Sequence, residues 1–299
     1  MSTLASQATQ VGGTYVFSDA DFGVIAKRAH QEFGLHLTEA KKDLVYSRLT
    51  KRLRQLGITD FRDYVRLLEE DEAERVHMLS ALTTNVTQFF REDHHFKTLR
   101  DTVLPGLIAK ARQGGRVRIW SAGCSAGQEP YSLAFTLLEV FPEAAKHDIR
   151  ILATDVDPAI LARATAGIYD GDEAKSLPAA IKDRFATISE KGSLTVGPQA
   201  RALISFGELN LMAAWPFRGL FDVIFCRNVA IYFDKDTQAQ LWQRFGSQLA
   251  QDGYLFIGHS ERLNGPASGQ FQSCGVTSYR KLTAQNSSDA SLNRNGTTP

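Results

Sequence analysis

The chain has 299 residues, 43% hydrophobic and 22% charged, with a formal net charge of +1, a balance that excludes any overall attraction to nucleic acid or an anionic membrane. No window of about 18 uncharged apolar residues occurs, and the amino terminus, MSTLASQATQVGGTY, lacks the basic stretch and apolar core of a signal peptide, so a cytoplasmic protein is expected. At roughly 100–200 residues per domain, the length predicts two domains.

Residues 1–17 and 284–299 are small and polar and are expected to be disordered. From 18 to 80 the pattern is helical. SDADFGVIAKRAHQEFG opens on Ser18 as a cap, LTEAKKDLVYSRLTKRLRQLG runs from Thr38 to a stop at Gly57, and TDFRDYVRLLEED takes Thr59 or Asp60 as its cap. Along the second of these helices Leu44, Leu49, Leu53 and Leu56 are expected to face a core, and Arg48, Lys51 and Arg52 to share the other side. From 117 onward, short β-branched or aromatic runs (VRIWSAG, IRILATDVD, FDVIFCRN, GYLFIGHSE, TSYRKL) alternate with helical ones (EPYSLAFTLLEVF, PAILARATAGIY, TQAQLWQRFGSQLA). This alternation predicts an α/β fold, a mostly parallel doubly wound sheet over 81–283, with ligands at the carboxyl ends of its strands. Residues 185–206 break the alternation and read as a small antiparallel β insert.

Cys124, Cys226 and Cys274 are odd in number, far apart and set in apolar sequence, as for reduced buried thiols. The seven histidines show no metal-ligand spacing, and adjacent His94 and His95 would point about 100° apart on a helix, so no metal is expected.

WSAGCSAGQEPY, residues 120–131, joins a strand to a helix through Gly123 and Gly127. It lacks the Lys-Ser/Thr of a phosphate-binding loop, and Glu129 would repel phosphate; the GxGxxG spacing of a dinucleotide site is also missing, which disfavours an NAD-dependent oxidoreductase. Asp155 closes the next strand, where an acid accepts hydrogen bonds from ribose hydroxyls. Ribose plus a positive centre without phosphate describes S-adenosylmethionine. Taken singly, the glycines could form a plain turn, Glu129 could answer the helix dipole, and Asp155 and Asp157 could be caps before Pro158; their order along the chain favours the ligand.

With ALTTNVTQFFREDHHF (81–96), WSAGCSAGQEPYSLA (120–134) and FDVIFCRNVAIYFDK (221–235), together with LATDVD, NLM and GHSE, the sequence from about 18 to 282 resembles the CheR family of chemotaxis receptor methyltransferases. The resemblance implies a Rossmann-like S-adenosylmethionine-dependent methyltransferase fold and transfer of methyl groups to glutamate side chains of chemoreceptors. It implies that Asn85, Thr87 and Arg91 line the methionine end of the cofactor, that Glu129 and Asp155, beside Gly123, hold its amino group or ribose, and that Asn210, Leu211, Asn228 and Val229 frame adenine and ribose. Arg91 and Tyr232 are implied nearest the methyl group. Phe89 and Phe90 are read as core, and Asn228-Val229-Ala230 lacks the Pro-Pro-Tyr pattern of base methyltransferases. His259-Ser260-Glu261 cannot form a triad on a strand, where neighbours alternate faces, and reads as a sheet-end structural signature.

The resemblance also implies that the helical module at 18–80 meets acidic receptor helices, through Lys41, Arg48, Lys51, Arg52 and Arg54; a solvated basic face is the bland alternative. The partners expected are chemoreceptor cytoplasmic domains, with no nucleic acid or membrane insertion, and the enzyme is expected to be a monomer. Members that tether to a receptor's carboxyl-terminal pentapeptide carry a longer Gly-rich loop in the β insert than EKGSLTVGPQARA, so a pentapeptide-independent enzyme is expected. A catalytically silent S-adenosylmethionine-binding regulator of a chemosensory array is the alternative.

Overall fold

The computed structural model describes residues 15–282. The disorder expected for 284–299, and for most of 1–17, lies outside the described residues. Within them, Phe17 is 4% exposed and its ring sits 4.3 Å from that of Phe61, so the ordered chain starts earlier than expected.

The described residues form two compact units: one up to Asn85 together with Tyr232–Asp234, the other Val86–Ile231 with the chain from Lys235 onward. The first contains α1 (Asp19–Phe33), α2 (Lys42–Leu56), α3 (Phe61–Glu70) and α4 (Glu72–Leu82). Ser18 and Asp21 cap α1 reciprocally: the Ser18 hydroxyl accepts the Asp21 N–H and the Asp21 carboxylate accepts the Ser18 N–H. Asp60, rather than Thr59, caps α3, while Thr38 precedes a short 3-10 turn without a side-chain cap. Val45, Leu49 and Leu53, spaced by four, are fully buried along α2. Leu44 and Leu56, expected inward, are 44% and 37% exposed: Leu44 lies about 100° from its neighbour Val45, and Leu56 is the last residue of the helix. Tyr232–Asp234 joins this unit through an isolated antiparallel bridge between Leu35 and Phe233 and a 2.8 Å bond from the His36 N–H to the Tyr232 carbonyl.

In the second unit the strands are β1 (Val117–Ala122), β2 (Ile149–Asp155), β3 (Ile168–Tyr169), β4 (Ala186–Ile188), β5 (Leu194–Val196), β6 (Ile204–Glu208), β7 (Phe221–Cys226), β8 (Leu249–Ile257), β9 (Phe271–Gly275) and β10 (Ser278–Lys281). The helices are α5 (His94–Thr98), α6 (Leu104–Arg112), α7 (Gln128–Val140), α8 (Pro158–Ala166), α9 (Ala179–Phe185), α10 (Pro198–Arg201) and α11 (Lys235–Gln248). The main sheet runs β6-β2-β1-β7-β8-β10-β9; the first five strands are parallel and β10 is antiparallel to both its neighbours. All six residues of β7 are buried, as befits a central parallel strand covered on both faces; the one charge among them, Asp222, is paired with Lys110 at 2.6 Å. Ile119 of β1 joins a core with Leu133 and Leu137 of α7, while Trp120, on the opposite face, meets the rings of Trp215, Phe217, Phe221 and Phe245 at 4.8–5.3 Å.

Three expectations need correction. The antiparallel insert is β3-β5-β4, so it takes Ile168–Tyr169 from outside 185–206. It yields 204–206 to the main sheet, where Ile204 opposite Ile151 opens the pairing of β6 with β2. Cys274, on edge strand β9, is exposed, whereas Cys124 and Cys226 are buried.

Candidate functional site

The loop after β1 turns on three left-handed residues, Gly123 (φ 77°), Ser125 (φ 49°) and Gly127 (φ 94°). More than a turn is at stake. A Cβ on Gly123 would come within 2.4 Å of the Val229 side chain, and one on Gly127 within 2.9 Å of Ala164 and the Tyr169 hydroxyl, so both glycines serve close approach. Gly123 thereby draws the loop after β1 against the loop after β7.

Asp157 is a cap, its carboxylate accepting the Ala159 and Ile160 N–H groups at the start of α8. Asp155 is not. Its carboxylate accepts the Ser125 N–H at 2.8 Å and the Asp157 N–H at 3.2 Å. Burial pushes its pKa up, opposed by those N–H groups. The Leu209 N–H binds the Asp155 carbonyl at 2.9 Å, which sets Asn210 and Leu211 beside the end of β2; the Asn210 side chain in turn accepts the Met212 N–H.

Glu129, in the first turn of α7, is 8% exposed and does more than answer the helix dipole. One oxygen accepts the Ser121 hydroxyl and the other the Arg227 Nε–H, each at 2.7 Å. Arg227 follows β7, is 6% exposed, donates to the Arg91 carbonyl, and lies 5.2 and 5.6 Å from the rings of Phe96 and Phe225. Buried Arg227 therefore joins β7, α7 and the segment at residue 91. That segment is conformationally costly: Phe90 (φ 53°) and Glu92 (φ 57°), both left-handed and neither glycine, bracket Arg91. The Arg91 guanidinium donates to the Val86 carbonyl at 2.9 Å. Phe89 is buried as expected and Phe90 half-buried against the same core.

A second buried carboxylate organises the loop after β7. Glu261, 3% exposed, accepts the N–H groups of Gly258, Asn228 and Ile231, and Asn228 is left-handed at φ 59°. Burial raises its pKa against the pull of those donors. Neither the Arg227 tie nor the Glu261 cradle is visible in the sequence; a lone arginine after an apolar strand and a glutamate four residues past one were the only hints.

The second unit thus brings together Gly123, Glu129, Asp155, Asn210, Leu211, Asn228, Val229 and the backbone of Arg91 at the carboxyl ends of β1, β2 and β7, with Thr87 half-buried on the segment leading to Arg91. Asn85 is exposed at the end of the helical unit. Tyr232 groups with that unit, where its hydroxyl accepts the Thr84 N–H at 3.0 Å and lies 3.3 Å from the Thr84 carbonyl. The expected basic face is split. Arg48 donates to the Leu82 carbonyl and the Thr84 hydroxyl, and Arg52 forks onto Glu74, itself 2% exposed and bound by the Tyr64 hydroxyl. Lys41 reaches the His36 carbonyl, while Lys51 and Arg54 are exposed.

His94 and His95, expected to diverge, have ring centroids 4.2 Å apart, and with Glu92 they place potential donor atoms within 4.8 Å of one another. Arg227 Nη1 lies 3.4 Å from His95 Nδ1, which disfavours a cation there. His259 accordingly turns to Glu92, at 3.0 Å.

Chemically, the centre offers two carboxylates beside a glycine loop, and Arg227, a cation among them, is already bound to Glu129. Such a set of acceptors suits a ligand with an ammonium group and hydroxyls rather than phosphates, and so fits S-adenosylmethionine.

Residues 85–280 match the CheR methyltransferase SAM-binding domain, and residues 20–83 the CheR methyltransferase all-alpha domain. A probable chemotaxis protein methyltransferase of Rhizobium etli is 52% identical over 259 residues, covering 85% of this chain and 97% of that one. The chemotaxis protein methyltransferase of Escherichia coli is 41% identical over 253 residues, 83% of this chain and 86% of its own. Chemotaxis protein methyltransferase 2 of Pseudomonas aeruginosa is 40% identical over 268 residues, 88% and 93% of the two chains. With glycine loop, paired acids and both domains accounted for, the chain belongs to the CheR family of S-adenosylmethionine-dependent chemotaxis methyltransferases.

Proposed function

We propose that the protein transfers methyl groups to glutamate side-chain carboxylates of chemoreceptor cytoplasmic domains, giving glutamate methyl esters and S-adenosylhomocysteine, as a cytoplasmic monomer. The observation that carries this reading is the pair of acids, Glu129 and Asp155, set on either side of a loop whose glycines admit close approach. S-adenosylmethionine supplies an electrophilic methyl on a sulfonium centre. Glu129 and Asp155 take its amino group and ribose hydroxyls, and Asn210, Leu211, Asn228 and Val229 frame the adenosine. For Asn85, Thr87 and Tyr232 the proposed contacts rest on the resemblance alone.

A glutamate acceptor, with a pKa near ~4.3, arrives ionised, so no general base is required of the protein. What its residues must do is orient. Arg91 directs the incoming carboxylate, and such alignment lowers a barrier by as much as ~7–11 kcal/mol in favourable cases. Arg227, by fixing the Arg91 backbone and Glu129 together, keeps acceptor guide and cofactor anchor in one frame.

Residues 18–80 form the receptor-docking domain of this proposal and 81–283 the transfer domain. The docking face is narrower than the sequence implied. Because Arg48 and Arg52 are committed inside the helical unit, Lys51 and Arg54 near the end of α2, and Lys41 before its start, remain to meet an acidic receptor helix. The short β4–β5 connection supports independence from a receptor pentapeptide.

The test is Arg91→Ala. Turnover is expected to fall about 100-fold, the cost of a misplaced reactant, with S-adenosylhomocysteine affinity nearly unchanged. Equal losses in both would make Arg91 a binding residue. Tight binding of an Asn-Trp-Glu-Thr-Phe peptide would contradict pentapeptide independence.

A further inference from the structure

At the opposite ends of the same strands lies a second concentration of charge. Arg118 of β1 and Arg150 of β2 are direct partners across the parallel pair, and like charges so placed destabilise a sheet. Arg116 and Arg218 join them around an open cavity of about 360 Å³ that also has Phe217 and Ser205 in its wall and no acidic residue among those lining it. Asp148 answers Arg118 at 2.7 Å. Among the described residues no carboxylate pairs with the other three: Arg116 donates to the Leu220 carbonyl at 3.0 Å, Arg150 to the Ile149 carbonyl at 2.7 Å, and Arg218 is exposed.

Backbone geometry reinforces the cluster. A Cβ on Gly219 would stand 2.6 Å from Arg116 Nη1, so a glycine at this position lets the guanidinium lie against the chain at the cavity wall. The fold itself does not call for four guanidiniums here, three of them without a counter-charge. The site is also remote from the glycine loop, since Gly123 lies five positions beyond Arg118, roughly 15 Å along the strand.

We propose that this cavity binds a phosphate-bearing small anion, a nucleotide or a free polyphosphate. Planar guanidinium forks match phosphate oxygens two at a time, and the volume lies within the range of small-molecule sites, about 300–1,000 Å³. Phe217 offers an apolar wall to a base. The site is independent of the proposed acceptor chemistry.

Titration calorimetry of the full chain with inorganic pyrophosphate and with ATP tests it. Saturable one-to-one binding is expected, weakened at least tenfold in Arg150→Gln/Arg218→Gln, with S-adenosylhomocysteine affinity and thermal midpoint retained. Gly219→Ala is the second variant: it keeps every charge, asks only a flexible side-chain end to move, and is expected to weaken binding by displacing Arg116. ATP binding tighter than pyrophosphate identifies a nucleotide site, equal affinities a polyphosphate site, and both support the proposal. No saturable binding of either probe at millimolar concentration would overturn it. So would binding unchanged in both variants, or competition by S-adenosylhomocysteine, which would put the anion in the cofactor site.

Discussion

Glu261 holds a carboxylate at 3% exposure by giving its oxygens to three backbone N–H groups, and the loop so held carries Asn228 in a left-handed conformation. Glu261→Gln replaces one acceptor oxygen with a donor that faces donors, leaving buried N–H groups unsatisfied at about 1–3 kcal/mol each. The expected result is a KM for S-adenosylmethionine raised at least tenfold, with kcat less affected, read by steady-state kinetics; an unchanged KM would detach this loop from the cofactor. Arg227→Lys keeps the charge, but an ammonium cannot reproduce the fork that reaches both Glu129 and the Arg91 carbonyl. Both kcat and cofactor affinity should fall, and a wild-type rate would refute the frame ascribed to Arg227. The glycines, Glu129 and Asp155 were legible in the sequence because their order around a strand-turn-helix is local. Arg227 and Glu261 were not, because what marks them is burial against partners 98 and 33 positions away.

Along α2 a single helix combines three tasks that the sequence merges into one basic run. Val45, Leu49 and Leu53 form the core stripe, Arg48 and Arg52 lock neighbouring segments, and Lys51 and Arg54 face solvent. Arg52→Ala strands Glu74 in the interior and should cost about 3 kcal/mol, the low end for breaking a buried pair because Arg52 keeps some exposure. Denaturant unfolding measures it, and a loss below ~1 kcal/mol would show that Glu74 finds another partner. Lys51→Glu/Arg54→Glu should leave stability within about 0.5 kcal/mol per site yet abolish receptor-fragment binding at low salt. Retained binding would refute docking through this face. Periodicity found the helix but could not divide its polar side, since a charge in solvent and a charge on a buried glutamate have the same spelling. The β insert failed for a related reason: IY after Gly167 and ISF after Leu203 are both short apolar runs, and only pairing assigns one to the small sheet and the other to the large.

For the whole molecule, acid stability reports on the same centre. His95 is fully buried, faces Arg227, His94 and Glu92, and meets the Val276 carbonyl and Thr277 hydroxyl. Burial, with Arg227 and His94 next, lowers its pKa to about 3. The unfolded chain, with an ordinary histidine pKa near ~6.5, therefore binds a proton that the folded chain refuses, and stability is complete above that value and lost as pH falls toward about 3. In that window the single group contributes a slope of about 1.4 kcal/mol per pH unit, and His95→Gln should remove that slope from the variant, so that the difference between the two proteins' stabilities changes with pH by this amount; parallel curves would show that His95 is charged in the fold. The parallel sheet and the helical module were readable from alternation and capping. The meeting of 91, 129, 227 and 261 was not, because it is made by the strand order β2-β1-β7-β8, which no local pattern encodes. The central claim, carboxyl methylation of receptors, is tested most directly by incubating the protein with labelled S-adenosylmethionine and purified chemoreceptor cytoplasmic fragments of its host, then measuring methanol released by base. Base-labile label on a receptor fragment is the result predicted; cofactor binding with no label on any fragment would contradict it and leave a silent regulator of the same fold.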